Sequence, residues 1–288
     1  MKQIGILHHP KLPRSQPLAQ EMADWLAGRG LSAWQASSWD EAAVQAEIEN
    51  LDLVITLGGD GTILRAARMG ACCGVPILGL NLGRLGFLAE LQPEGWQPQL
   101  ERLLGGDYWV EGRMMLHAQF LQGGECRRAF EALNDVVVSR GGLARMVRLT
   151  AYVDSGYLAT YAADGLIVST ATGSTAYALA VGGPILPPEL HNILVIPIAP
   201  HLSLDRAVVL AEGSTVSVEV STDHTAMLTI DGQFEVELQD RDTVIVQASP
   251  YQACFVRMQE PTYFYRTLMA RLRPAGHDDT HEPPKEKA

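Results

Sequence analysis

The stretch Leu53-Val54-Ile55-Thr56-Leu57-Gly58-Gly59-Asp60-Gly61-Thr62 determines the fold class of this chain. A short apolar run leads into a glycine-rich turn, and residues 63–69 then have the composition of a helix. This order predicts a strand, a tight turn and a helix, with backbone amides close to an anion at the positive helix N-terminus. Because a carboxylate repels phosphate, accepting a proton or placing Mg²⁺ is a better role for Asp60. The tetrapeptide 58–61 taken alone is equally consistent with a plain turn.

Residues 1–112 alternate strand and helix patterns. Strands are predicted at 4–7, 31–36, 53–57 and 75–80, and helices from Ser15 as N-cap to about Gly28 or Gly30, at 42–48 and at 63–69. This alternation predicts an α/β domain with a doubly wound, mostly parallel sheet. Ligands of such sheets bind outside the carboxyl ends of the strands, where both Gly58–Thr62 and Asn81–Phe87 fall.

Residues 113–250 follow a different pattern, in which short runs rich in Val, Ile, Leu, Tyr and Thr alternate with Gly and Asp turns. This pattern predicts a β-rich second domain. Strands are expected at 115–121, 132–139, 147–153, 157–163, 166–169, 215–220, 226–230 and 244–246. A last helix is expected at 263–273, and the polar residues 274–288 are expected to be disordered.

The composition restricts the partners and the compartment. The net charge of −11 argues against nucleic acid or an anionic membrane as a main partner. No apolar stretch approaches the roughly 20 residues of a membrane span. The N-terminal apolar run is too short for a signal peptide, and it is read as a first strand. Four cysteines without a CxxC pair indicate reduced thiols, so a cytoplasmic location is expected.

Lysine usage excludes two kinds of kinase site. The only lysines are Lys2, Lys11, Lys285 and Lys287, so no glycine-rich turn continues into the Lys-Ser or Lys-Thr of a P-loop. A protein-kinase-like lysine in a central strand is excluded in the same way. Arginine, backbone amides or a metal ion must therefore meet phosphate charge. The nearest arginines are Arg65, Arg68 and Arg84, of which Arg68 is interpreted as a solvated helix-face charge.

Polar residues in the second half form three further candidate sites. The loop after the strand at 166–169 carries hydroxyls at five of its seven positions from 169 to 175. A helix cap needs only one hydroxyl, so the excess favours contacts to ribose, adenine or phosphate. Asn134-Asp135 lies in a strand-like run, where polar groups are costly unless they meet a ligand or a turn partner. Asp231-Gly232-Gln233 is by itself a plain hairpin turn.

Three of these segments together resemble the NAD kinases, which use ATP to phosphorylate the adenosine ribose 2′-hydroxyl of NAD. They are Gly58–Thr62, Asn81–Leu88, and Thr172–Tyr177 with Gly182-Gly183-Pro184. The first motif is shared with diacylglycerol kinases, sphingosine kinases and phosphofructokinases, whereas the other two are far more specific. The resemblance covers about residues 1–273, and it implies that residues 251–273 return to pack on the first domain.

The resemblance also implies roles for individual residues. Asp60 would be the general base, Gly61 would face the phosphates, and Arg65 would approach the phosphates of NAD or ATP. Asn134 and Asp135 would hold the ribose hydroxyls. The other implied residues are Phe87, Thr172, Thr175, Ala176 and Tyr177 for the adenine and ribose pocket, Asp164 for the nicotinamide end, and Arg145 and Gln233 to complete the site. Mg²⁺ would arrive with ATP, because no side-chain motif for a metal is present.

The chain departs from the family pattern at a few positions. Asp135 stands where a glutamate is typical, and Ala171 where a proline is frequent. Ala178 and Ala180, in the nucleotide-binding segment, replace residues that are often polar, which affects affinity and the preference between NAD and NADH. The family is homo-oligomeric, so a homodimer or homotetramer with sites built across subunits is expected. Two alternatives are a lipid kinase of the same superfamily and a non-catalytic dinucleotide-binding sensor.

Overall fold

The computed structural model describes residues 2–83, 86–142, 146–201 and 205–272. Its helices are α1 (Ser15–Ala27), α2 (Glu41–Glu47), α3 (Asp60–Ala71), α4 (Trp96–Leu104), α5 (Tyr177–Ala180) and α6 (Tyr263–Leu272), with 3₁₀ turns at Ile48–Asn50 and Thr172–Thr175. Its strands are β1 (Gln3–His8), β2 (Ser32–Ser37), β3 (Leu53–Gly58), β4 (Ile77–Asn81), β5 (Trp109–Gln122), β6 (Glu125–Ala132), β7 (Asp135–Arg140), β8 (Val147–Val153), β9 (Gly156–Ala163), β10 (Gly165–Ser169), β11 (Asn192–Ile198), β12 (Val208–Ala211), β13 (Val216–Ser221), β14 (Ala226–Ile230), β15 (Phe234–Leu238) and β16 (Thr243–Arg257).

The first four strands form the parallel sheet that the alternating pattern predicts, in the order β2-β1-β3-β4. All six residues of β3 are buried, because helices cover both faces of the sheet. Val54 packs towards α3 on one face, and Ile55 packs towards α1 and α4 on the other. The predicted doubly wound α/β class is therefore confirmed.

The same sheet continues into the second half of the chain. Phe255 of β16 pairs with Ile77 of β4 in parallel, and β16 then pairs with β13 and β5 in antiparallel fashion. The full sheet has ten strands, with the path β2-β1-β3-β4-β16-β13-β8-β9 and with β5 and β6 paired beside β16. A second, antiparallel sheet has the order β12-β11-β10-β7-β14-β15. Apolar residues of both sheets meet in one large core, which confirms the β-rich character of the second half.

The long strands β5 and β16 join the two halves of the chain. β5 begins at Trp109 and β16 ends at Arg257, so each strand crosses a predicted domain border, at 112 and at 250 respectively. The division of the chain at these two borders remains a prediction. After β16, the aromatic ring of Tyr263 at the start of α6 is buried. Residues 274–288 lie outside the described residues.

Two local predictions are wrong, and helix α4 and strands β6, β11, β12 and β15 were not predicted. Ser15 does not cap α1, because its buried hydroxyl donates to the carbonyl oxygens of His9 and Leu12, at 2.6 and 2.9 Å. Helix α3 begins at Asp60 instead of residue 63, because Gly59 already serves as its N-cap. Strand β6 was not predicted, because most of its residues are exposed and polar. In the described part of the chain, no helix has both the length and the apolar character needed to cross a membrane.

Candidate active site

The Gly58–Thr62 turn joins the carboxyl end of β3 to the N-terminus of α3. Gly58 cannot carry a side chain, because a Cβ atom there would collide with the hydroxyl of Thr62. The carbonyl oxygen of Gly58 accepts a hydrogen bond from the amide of Leu82 at 2.9 Å, so the loop after β4 lies beside the turn. The first amides of a helix have no partner within it, and Asp60 and Gly61 lie in this first turn.

The carboxylate of Asp60 is held by the backbone of the neighbouring loop. The amide of Phe87 donates to Oδ2 of Asp60 at 2.8 Å, and the amide of Leu88 donates to Oδ1 at 3.3 Å. Gly86 lies directly against this carboxylate, since an added Cβ atom would overlap both of its oxygens. The two amides therefore fix the orientation of a partly buried carboxylate at the helix N-terminus.

Asp60 faces a cavity of about 190 Å³. The cavity brings together residues from the α/β half and from the β-rich half of the chain. Besides Leu64 and Leu88, its lining consists of sequence-predicted site residues: Asp60, Gly61, Phe87, Asn134, Thr172, Thr175 and Ala176. Seven predicted residues thus surround one space, although up to 116 positions separate them in the sequence.

The hydroxyls of residues 169–175 divide into two groups. Those of Ser169 and Thr170 donate to the carbonyl oxygens of Asn134 and Leu133, at 3.0 and 2.6 Å, and that of Ser174 donates to the carbonyl oxygen of Ala171 in the same loop at 2.7 Å. Only Thr172 and Thr175 line the cavity. Three of the five hydroxyls therefore help to build the loop, and the role of the excess in ligand binding remains a prediction.

Asp231 clamps the segment that carries Asn134 and Asp135. Its carboxylate accepts hydrogen bonds from the amides of Leu133, Asn134 and Asp135, at 2.9, 2.8 and 3.1 Å. Burial, together with the nearby charge of Asp231, raises the pKa of Asp135 to about 7. Burial also raises the pKa of Asp231, against the effect of its three amide donors. Sequence reasoning missed this role and read Asp231 as part of a hairpin turn.

Asp231 is also the turn residue that was predicted, with φ of 52° followed by 63° at Gly232. Positive φ at two successive turn positions is typical of the tight hairpins that favour Asp-Gly. The buried carboxylate of such a turn residue needs partners, and this requirement is the signal by which the clamp could have been suspected.

Gln233 links the same hairpin to the Gly58–Thr62 turn. Its Nε2 donates to the carbonyl oxygen of Gly61 at 3.0 Å, and its Oε1 accepts from Nη1 of Arg68 at 2.8 Å. Arg68 also pairs with Glu41 at 2.8 Å, and its guanidinium lies 4.2 Å from the ring centre of Phe234. Arg68 is therefore not a solvated helix-face charge, because only 10% of its side chain is exposed.

Arg65 lines a second cavity. It pairs with Glu41 at 2.6 Å and lines a space of about 370 Å³ together with Gly59, Gly61 and Gln233. Gly61 lines both this cavity and the one that Asp60 faces. The two cavities are therefore neighbours on either side of the helix N-terminus.

Two family models match the chain over most of its length. Residues 29–108 match the ATP-NAD kinase N-terminal domain, and residues 133–258 match the ATP-NAD kinase C-terminal domain. The chain belongs to the ATP-NAD kinase family. It is 40% identical over 273 residues to an NAD kinase of Dehalococcoides mccartyi, with 94% of this chain and 96% of the relative covered. An NAD kinase of Chloroflexus aurantiacus is also 40% identical over 273 residues, with coverage of 95% and 99%.

Solved structures of this kinase family have the same fold. An NAD kinase from Archaeoglobus fulgidus in complex with ATP has a TM-score of 0.77 and 26% identity, with 93% of this chain and 98% of that chain covered. The yeast NADH kinase complexed with NADH has a TM-score of 0.81 and 22% identity, with coverage of 98% and 90%. The yeast enzyme supports the fold alone, because its sequence similarity is low.

Several residues that the NAD kinase resemblance predicted do not line the Asp60 cavity in this single chain. Ala178 is fully buried in an apolar cluster with Ile167 and Leu194, while Tyr177 is 45% exposed and Ala180 is exposed. Asp164 pairs with Arg140 at 2.9 Å and precedes the first residue of β10, whereas the cavity lies beyond its last residue. Arg145 and Arg84 lie outside the described residues.

Asp135 is 5% exposed and neighbours the cavity residue Asn134 without lining the cavity itself. Within residues 2–83, 86–142, 146–201 and 205–272, no group of three or more His, Cys, Asp or Glu side chains could hold a metal ion.

Proposed function

We propose that this chain is an NAD kinase that transfers the γ-phosphoryl group of Mg²⁺-ATP to the adenosine ribose 2′-hydroxyl of NAD. The observation that carries the proposal is the oriented carboxylate of Asp60 in the cavity shared with Asn134 and Thr172. Phosphoryl transfer depends on positioning and charge neutralisation more than on covalent chemistry by the protein. A carboxylate fixed by two amides and open to a cavity suits that demand.

In this proposal Asp60 accepts the proton of the attacking hydroxyl. The ribose oxygen forms a bond to the γ-phosphorus while the bond from that phosphorus to ADP breaks, and the proton moves to Asp60. Because the transition state is loose, the proton leaves late in the reaction. Hydrogen bonds from Phe87 and Leu88 hold the carboxylate in place before and after this transfer.

The other cavity residues would bind the acceptor. Asn134 and Asp135 would hold the ribose, and a protonated Asp135 could donate a hydrogen bond to it, since its pKa is raised to about 7. Phe87, Thr172, Thr175 and Ala176 would form the adenine and ribose pocket. Arg65 and Gly61 would face the phosphates, and Gln233 would support Gly61 from behind. Mg²⁺ would neutralise the transferred group and would enter as part of the ATP substrate.

We further propose that Tyr177, Ala180, Asp164 and Arg145 act in a homodimer or homotetramer, where a second subunit completes the site, while the buried Ala178 supports this segment from within its own subunit. The ring of Tyr177 supports this proposal, because it is 45% exposed and therefore accessible to a second subunit. A cytoplasmic location is proposed as well, supported by the free thiols of all four cysteines.

The test incubates purified protein with Mg²⁺-ATP and either NAD or NADH, and a dehydrogenase specific for the phosphorylated product reads its formation. Asp60→Asn should lower kcat by about 10²–10⁴-fold, the usual contribution of a positioned base. Calorimetry should show NAD affinity within about twofold of the wild type. The matched control is Asp24→Asn, since Asp24 is exposed on α1, and it should keep full activity.

Full turnover by Asp60→Asn would reject the base assignment. Wild-type protein that binds NAD without forming product would instead be a dinucleotide sensor. Protein that neither binds NAD nor forms product would refute the proposed function.

A further inference from the structure

The second cavity lies where four parallel strands end. His9 follows β1, Trp39 follows β2, Gly59 and Gly61 follow β3, and Gly83 follows β4, and all of them line the space of about 370 Å³. Ligands of open α/β sheets bind in the crevice outside the carboxyl ends of the strands. Because Gly61 separates this cavity from the one that Asp60 faces, a group bound here is adjacent to the proposed base.

The floor of this cavity suits a polyphosphate. Helix α3 has 12 residues and begins at the floor, so the positive end of its dipole faces the space. Arg65 adds a cation whose side chain is 21% exposed. Thr62 also lines the cavity, and in the described part of the chain its buried hydroxyl has no hydrogen-bond partner. This hydroxyl is packed against Gly58, so the affinity of the floor for phosphate rests on the helix N-terminus and on Arg65.

The rim of the cavity has a different character. Trp39 is 47% exposed, which is unusual for so large an apolar side chain. Its ring packs edge-on against His9 with centroids 5.6 Å apart, and the ammonium group of Lys11 lies 4.6 Å from its ring centre. These contacts hold the indole at the rim although it is not buried.

The backbone beneath Trp39 is also fixed. The amide of Trp39 donates to the hydroxyl of Ser37 at 3.2 Å, and the amide of Ser38 donates to the carbonyl oxygen of His8 at 2.9 Å. The loop after β2 is thereby tied to the end of β1, so the indole is in place before any ligand binds. A platform that needs no rearrangement loses little entropy on binding.

We propose that Trp39 is the stacking platform for the nucleobase of the phosphate donor. Trp39 thereby selects a nucleoside triphosphate over inorganic polyphosphate. This inference rests on the proposed kinase function. A phosphate-binding floor alone would accept any polyphosphate, whereas an aromatic ring at the rim interacts only with a donor that carries a base. Stacking is tolerant of base identity, because every base has a π-face, so ATP and GTP should be discriminated weakly.

The test measures kcat and KM for Mg²⁺-ATP in Trp39→Ala, with NAD saturating, and also the inhibition constant of Mg²⁺-tripolyphosphate against ATP. The expected result is a KM for ATP raised about tenfold, with kcat changed less than about twofold, since stacking on one base contributes an effect of this order. The inhibition constant of tripolyphosphate should stay the same. Trp39→Phe should restore most of the ATP affinity, and Tyr108→Ala, at another exposed aromatic residue, should behave like the wild type.

Three results would overturn the proposal. They are an unchanged KM for ATP in Trp39→Ala, an equal loss of affinity for ATP and tripolyphosphate, and a failure of tripolyphosphate to compete with ATP in the wild type. The proposed kinase function is tested separately in the same assays, because every variant must still convert NAD to its phosphorylated form at saturating ATP.

Discussion

Asp60 and Gly86 are packed so closely that a Cβ atom on Gly86 would overlap both carboxylate oxygens of Asp60. The same loop supplies the amides of Phe87 and Leu88 that hold this carboxylate. The position of the proposed base therefore depends on a residue that has no side chain.

Gly86→Ala should displace either the Asp60 carboxylate or the loop that holds it. We expect kcat to fall by about 10²-fold, because a misplacement of about 1 Å is enough for such a loss. Overpacking should also lower the free energy of unfolding by about 1–3 kcal/mol. Steady-state kinetics and urea denaturation measure the two effects. Gly213→Ala is the control, because an added Cβ there meets open space. Equal activity of the two variants would show that the close packing has no catalytic consequence.

Asp135 should make stability depend on pH. Burial raises its pKa from 3.8 to about 7, so between these values the folded protein holds a proton that the unfolded chain has released. The free energy of unfolding therefore falls as pH rises through this window, by up to ~1.4 kcal/mol per pH unit from this group. Asp135→Asn removes the titration and should flatten the profile, with its largest stabilisation relative to wild type at pH 8.

Urea denaturation at pH 5, 6, 7 and 8 checks the Asp135 prediction. Asp24→Asn should leave the shape of the profile unchanged, because Asp24 is exposed. Parallel profiles for the wild type and Asp135→Asn would contradict the raised pKa.

Gln233 should couple the hairpin between β14 and β15 to the Gly58–Thr62 turn. Gln233→Ala loses the hydrogen bonds to Gly61 and Arg68, and we expect a loss of about 1–2 kcal/mol in the free energy of unfolding. KM for ATP should rise several-fold, because Gly61 is no longer held. Gln233→Glu keeps an acceptor for Arg68 but cannot donate to Gly61, so it should recover stability without recovering KM. The prediction fails if both variants keep the wild-type KM.

Arg257 should be essential for stability. Its fully buried guanidinium contacts Glu111 at 2.8 Å, Glu90 at 3.3 Å and the carbonyl oxygen of Leu88 at 2.9 Å. Burial would raise the pKa of Glu111, yet the guanidinium groups of Arg113 and Arg257 hold it below its ordinary value. Arg257→Met removes the guanidinium that contacts Glu90 and one of the two that pair with the buried Glu111, and we expect a loss of about 3–5 kcal/mol in the free energy of unfolding.

A second variant separates charge from packing at Arg257. Arg257→Met combined with Glu90→Gln should recover part of the loss, because one unpaired charge is then removed. Thermal and urea denaturation provide the measurement. A loss of less than about 1 kcal/mol in Arg257→Met would show that the network does not stabilise the fold.

The sequence was sufficient to predict features that are encoded locally. The parallel strands and the turn at Gly58–Thr62 follow from apolar runs and glycines within about 20 residues, and the predicted class was correct. Asp60 and Thr172 were predicted as site residues because motifs of a known family surround them, and both line the same cavity. Strand β6 was missed because its exposed, polar residues give no alternating signal.

The interactions that sequence reasoning missed are formed over long separations. Asp231 binds the amide of Asn134 from 97 positions away, and Arg257 binds the carbonyl oxygen of Leu88 from 169 positions away. Neither residue type signals its partner, because a buried Asp or Arg acquires its role only when tertiary packing places donors or acceptors around it. Arg68 was misjudged for the same reason.

The hairpin turn at residues 231–233 forms hydrogen bonds beside both proposed substrate sites. Asp231 accepts hydrogen bonds from the backbone amides next to the proposed acceptor site, and Gln233 donates a hydrogen bond to the carbonyl oxygen of Gly61 at the proposed donor site. The distance between the proposed donor and acceptor sites is therefore fixed by this short turn, through the hydrogen bonds of the Asp231 carboxylate and the Gln233 amide group. We expect insertions or deletions in this turn to impair catalysis even where both substrates still bind, because they would change the distance between the two substrates.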